Sequence, residues 1–134
     1  TGAERTRRMT ALLLVAHRLA QTHSWSPADI HTAWASNEDG KRLFALGLMQ
    51  GDPQLANVEV LVDGIRASRS AFEQYHALRA AEVAVLRGED AKAVRSAVQA
   101  ELRGELRADG IDTRIGTDSD RFRTAQRVLR ALED

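Results

Sequence analysis

Histidine is the residue type in this chain best suited to metal or proton chemistry, and His17, His23 and His31 lie close together near its start. Imidazole is a common ligand for zinc or nickel. Two ligands on one helix face stand four apart, whereas these spacings are six and eight, and no carboxylate joins them in a recognised pattern. The spacing therefore predicts no metal site. His76 follows Tyr75, and a partly buried hydrogen bonder is its expected role.

The run Asp112-Thr113-Arg114-Ile115-Gly116-Thr117-Asp118-Ser119-Asp120 is rich in oxygen donors like a calcium loop. Arg114, however, stands where a carboxylate or amide is required, and the glycine comes one place early. Helix capping is the better reading. No glycine-rich phosphate loop, G-x-S-x-G elbow or His-Glu-x-x-His motif occurs. The chain has no cysteine, which excludes disulfides, thiolate metal centres and a cysteine nucleophile. The expectation is a protein without catalysis, cofactor or metal.

Arginine offers a different chemistry, the recognition of anions. Arg5, Arg7, Arg8 and Arg18 form one group, and Arg121, Arg123, Arg127 and Arg130 another. Arg123, Arg127 and Arg130 are three or four apart, so they share a helix face that could meet phosphates. The same spacing also describes a solvated face, moderated here by Asp118, Asp120 and Glu133. Tryptophan is enriched both in cores and at interface hot spots. Trp34 is expected in the core, and Trp25, in a serine-rich turn before Pro27, is expected to be partly exposed and to anchor a partner.

The elements that carry these residues follow from composition and period. With 134 residues, 43% hydrophobic and 28% charged but only 4% aromatic, the chain suits one helical domain over 1–134, filled by Leu, Ala and Val. Thr1-Gly2 in place of a starting Met suggests a piece of a longer protein, although Met removal leaves the same end. Nineteen basic and nineteen acidic residues balance, which removes the whole-molecule attraction expected of a dedicated nucleic-acid or membrane-surface binder. The run Ala11 to Ala16 is far too short to span a bilayer. A cysteine-free chain without a leader pattern is expected in the cytoplasm.

Met9, Leu12, Leu13, Ala16, Leu19 and Ala20 keep helical spacing and predict a first helix from about Glu4 to Gln21. Ser26-Pro27 with Asp29 three residues on predicts the start of a second, running to about Ala35 with Ile30 and Trp34 buried. Asn37 is the expected cap of a third, apolar on more than one side through Leu43, Phe44, Leu46, Leu48 and Met49 and stopped by Gly51-Asp52-Pro53. Leu55, Val58, Leu61, Val62 and Ile65 suit a fourth helix better than a strand. Ser70 with Glu73 predicts a capping box opening a helix from Ala71 to about Arg87, whose Phe72, Tyr75, Leu78, Ala81 and Leu86 read as a central core stripe. A sixth helix spans about Ala91 to Ala108. After a loop from Gly110 to Thr117, Thr117 or Asp118 is expected to cap a last helix with Phe122, Ala125, Val128, Leu129 and Leu132 in register.

The expected fold is all-α: a compact bundle, or a short stack of helix pairs, of six to seven helices. Phe44-Ala45-Leu46 recurs as His76-Ala77-Leu78, a period typical of stacked helix-pair solenoids. From Lys41-Arg42-Leu43-Phe44 through Gly51-Asp52-Pro53 to Ser68-Arg69-Ser70-Ala71-Phe72-Glu73, the chain resembles HEAT-like helical segments of large actinobacterial multidomain signalling proteins, over roughly residues 39–87. The resemblance implies an adaptor or scaffold without chemistry, bound to a protein partner or to another domain of its parent chain. Binding of nucleic acid through the basic last helix is the alternative.

Overall fold

The computed structural model describes residues 1–89, 92–106, 115–116 and 119–133. Among the described residues it is all-α. Seven helices, α1 (Gly2–Thr22), α2 (Pro27–Ala35), α3 (Asp39–Gly51), α4 (Val58–Arg66), α5 (Ala71–Arg87), α6 (Lys92–Glu105) and α7 (Asp120–Glu133), follow in chain order, with a 3-10 turn at Pro53–Leu55 ahead of α4. No described helix is long and apolar enough to cross a membrane.

Side-chain caps set most of the helix starts. The Ser26 hydroxyl accepts from the Asp29 N–H while the Asp29 carboxylate accepts from the Ser26 N–H, which closes a capping box. Ser70 likewise accepts from the Glu73 N–H at 3.0 Å, but the reciprocal half of that expected box is absent. The Glu73 carboxylate takes the Arg69 N–H instead and turns inward to Arg42. Asn37 does not cap α3; it holds a left-handed backbone (φ 66°) that Asn tolerates better than most residues, and Glu38 occupies the N-cap position. At α7 the Ser119 hydroxyl accepts from the Phe122 N–H. Thr117 and Asp118, and residues 110–114 of the expected loop, lie outside the described residues; Ile115 is buried.

The helices pack in two rows. α1, α3, α5 and α7 each lie against the next of that series, and α2, α4 and α6 do the same, with α2 on α3, α4 on α5 and α6 on α7 joining the rows. Leu46, Leu48, Met49, Leu61, Ile65, Leu78 and Leu102 are fully buried between them.

α5 is central, and its buried face follows the expected stripe at Leu78 and Ala81 but not at its aromatic residues or Leu86. Gln74, Ala77, Leu78, Ala81, Ala84 and Val85 face the core, Phe72 and Tyr75 are half-buried at its margin, and Leu86 is 63% exposed. Neighbours α3, α4, α6 and α7 crowd this helix. Close approach on several sides favours alanine at the crossings and leaves the bulky rings to the edge. Phe72→Ala is accordingly expected to cost about 1–2 kcal/mol, below the value for a fully buried ring. Denaturant midpoints of Phe72→Ala and Leu78→Ala test this, with the Leu78 variant the less stable.

Gly47 and Gly51 let α3 approach α1 closely at Ala16 and Ala20. A Cβ on Gly47 would stand 2.6 Å from that of Ala16, and one on Gly51 would stand 2.7 Å from the His17 carbonyl oxygen. Polar clasps then tie successive members of each row. Arg42 joins α3 to α5 through Glu73, Arg66 joins α4 to α6 through Glu101 at 2.7 Å, and Arg127 joins α7 to α5 through Glu82 at 3.0 Å. Arg95 donates to the Val85 and Ala131 carbonyls, which satisfies C-terminal acceptors of α5 and α7 together.

Candidate interaction surface

α1 stands at the end of its row and packs chiefly along α3. Leu13, Ala16 and Ala20 fill that seam with Leu12 and Leu19 beside them, so the opposite side of the helix is left without a helix partner. On that side Leu14 is 56% and Val15 48% exposed, among the few large apolar residues open to solvent. Helical spacing places Ala11 between them and Arg7, Arg8 and Arg18 around them. Among the described residues none of these three arginines makes an ion pair, whereas Arg5, turned towards α3, approaches Asp39 at 3.7 Å. Glu4 is the one carboxylate of α1 and lies 3.4 Å from the Thr1 nitrogen. Glu4, Arg7, Arg8 and Ala11 line a shallow depression of about 330 Å³. The arrangement is an aliphatic centre with a cationic rim.

The residues expected to bind a partner are placed elsewhere. Trp25 is half-buried: its indole N–H donates to the Leu19 carbonyl at 2.8 Å, and its ring meets Phe44 edge-on at 5.8 Å. It fastens the turn after α1 to α3. Arg123, Arg127 and Arg130 do lie on one exposed side of α7, but their charges are unequally available. Arg123 pairs with Asp120 at 2.5 Å, and Arg127 with Glu82, whose hydrogen bond raises the already high guanidinium pKa. Only Arg130 of the three lacks an ion pair among the described residues.

The histidines are dispersed. His31 lies 3.9 Å from Glu59, and His23 sits beside the Thr22 hydroxyl at the end of α1. Among the described residues no three His, Asp or Glu side chains are grouped as metal ligands. His17 and His76 meet through Gln50. The Gln50 amide nitrogen donates to the His76 carbonyl at 2.9 Å, which fixes the amide orientation, so the amide oxygen accepts from His17 Nε2 at 2.6 Å and His76 Nδ1 accepts at 3.1 Å. This chain links α1, α3 and α5 and keeps the His76 ring neutral, packed on Phe72 and Tyr75.

Burial, with His17 and Arg79 nearby, lowers the His76 pKa from the ordinary 6.5 to about 4. Between those pH values the unfolded chain binds a proton that the folded chain refuses, so stability rises with pH across the window. Stability contributed by neutral His76 is thus full above pH 6.5 and declines as pH falls towards 4. His76→Asn keeps an acceptor for Gln50 and removes the titration. Its stability relative to the parent chain should therefore improve progressively from pH 7 to 5 in urea titrations; a constant difference would show that His76 is not the titrating group.

Two polar clusters whose pairings the sequence does not show organise the interior. Arg42 and Glu73, both nearly fully buried, form a two-point pair at 3.0 and 2.5 Å, and the Arg42 guanidinium lies 3.7 Å above the Trp34 ring. Trp34 in turn donates to Asp63 at 2.7 Å. Gln74 donates to the Ile65 carbonyl and accepts from Arg121. Each of these groups is satisfied by another, which marks them as structural fasteners. The chain matches no known family model, no curated protein and no solved structure.

Proposed function

We propose that this chain is a non-catalytic protein-interaction module, an adaptor that binds a partner, or another domain of its parent chain, through the outer face of α1. The exposed Leu14 and Val15, set among Arg7, Arg8 and Arg18, which make no ion pair among the described residues, carry the reading. Exposed aliphatic residues gathered on one helix face and rimmed by charge are the surface signature of an interaction site. The rest of the molecule is a scaffold for that face, built as a short HEAT-like stack of helix pairs. Support for the stack comes from equivalent burial one period apart: Ile30 and Leu61, Ala45 and Ala77, and Leu46 and Leu78 are all fully buried, at separations of 31 and 32 residues. A cytoplasmic place in a bacterial signalling or regulatory protein suits the cysteine-free sequence and its resemblance.

A pull-down from bacterial lysate, with and without nuclease, tests the reading. A protein should be retained after nuclease treatment and lost with Leu14→Asp, whose exposed position leaves the fold intact. Retention of nucleic acid alone, abolished by reversing Arg123, Arg127 and Arg130 to Glu, would replace the adaptor reading with nucleic-acid binding.

A further inference from the structure

We infer that the partner presents an acidic amphipathic helix, laid alongside α1 where the next helix of its row would stand; the inference rests on α1 being the interaction face. Three observations lead to this occupant. First, α1 is an edge member of a row whose internal members are covered on two sides by helices, so its outer side has the shape a further helix would complete. Second, the centre of that side is small and aliphatic, Ala11 with Leu14 and Val15, which suits ridge-and-groove packing of another helix. Third, its rim is cationic, with Arg7, Arg8 and Arg18 outside any ion pair among the described residues and Glu4 the single carboxylate of α1.

The spacing adds a requirement on the partner. Arg7 and Arg18 are separated by three turns, about 16 Å at 1.5 Å per residue. Carboxylates on the partner helix must recur at a comparable interval, flanking leucine-sized residues. A second copy of this chain meets the requirement poorly. Whether two α1 helices run parallel or antiparallel, arginine would face arginine across the contact, and like charges so placed are destabilising. Duplex nucleic acid would satisfy the arginines but would leave Leu14 and Val15 against hydrated phosphate, with no aromatic platform beside them.

The probe is a stapled helical peptide of about five turns, with leucines along one stripe and glutamates flanking it, and a twin carrying lysines in their place. Fluorescence anisotropy with the full chain should show the glutamate peptide binding at least about tenfold more tightly than its twin, a difference of about 1.4 kcal/mol. Arg7→Glu with Arg18→Glu should reverse the preference, and Leu14→Asp should weaken the glutamate peptide by about tenfold. Circular dichroism confirms that each variant keeps its helices. Equal binding of the two peptides, a preference unmoved by the double reversal, or displacement of the peptide by duplex DNA overturns the inference. Failure here with a protein still captured through Leu14 in the lysate experiment removes the acidic-helix partner and leaves the adaptor; failure of both removes both.

Discussion

Glu73→Ala is expected to lower the unfolding free energy by about 3–5 kcal/mol, because it strands a guanidinium inside the protein. Arg42 and Glu73 expose only 8% and 4% of their side chains. Removing the carboxylate leaves Arg42 with the Trp34 face and with Asp63 at 4.0 Å, and neither replaces a two-point pair. Arg42→Ala should fall in the same range, tempered by the Arg69 N–H that Glu73 keeps. The pair need not add net stability. Replacing both partners with apolar residues, Arg42→Met with Glu73→Leu, should recover most of the loss, since the desolvation cost of both charges disappears together. Urea midpoints of the single and double variants decide the matter. A double variant as unstable as the sum of the singles would show that the site requires charge.

Gly47→Val is expected to cost about 2–3 kcal/mol and to act through α1. Its Cβ would lie 2.6 Å from the Ala16 Cβ and 3.1 Å from the Leu13 carbonyl oxygen, so α1 must move away from α3. The gain in helix propensity on replacing glycine is smaller, about half a kcal/mol. α1 has α3 as its principal support. Trypsin should therefore cut first at the arginines of α1, while the remaining helices resist digestion. Uniform loss of protection across the chain would mean that α1 folds and unfolds with the whole.

Local signals in the sequence were most legible where one side chain decides the outcome. Ser26 with Asp29 and Ser70 ahead of Glu73 mark real helix starts, because a short oxygen side chain satisfying a free N–H needs no tertiary partner. Periodicity placed α1's buried seam correctly and left Leu14 and Val15 outside it. On α5 it placed Leu78 and Ala81 correctly but put the aromatic residues in the core, where crowding by four helices favours alanines. Arg42 and Glu73 were illegible for another reason. They are 31 residues apart, and a buried charge is recognisable only when its partner is known. Among the candidate binding residues, Trp25 is partly exposed as its turn suggests but donates its indole N–H to the Leu19 carbonyl, and Arg127 is taken up by Glu82 of α5, 45 residues away. The early arginine group was visible as a cluster, but only packing separates Arg5, used against α3, from Arg7, Arg8 and Arg18.

The central claim is that the outer face of α1 engages a protein. Incorporation of a photo-crosslinking benzoylphenylalanine at Leu14, and separately at Arg130 on α7, tests it within one irradiated bacterial lysate. The account predicts a discrete protein adduct at position 14 that resists nuclease and none at position 130. Adducts only at position 130, or adducts at either position that nuclease removes, would contradict it.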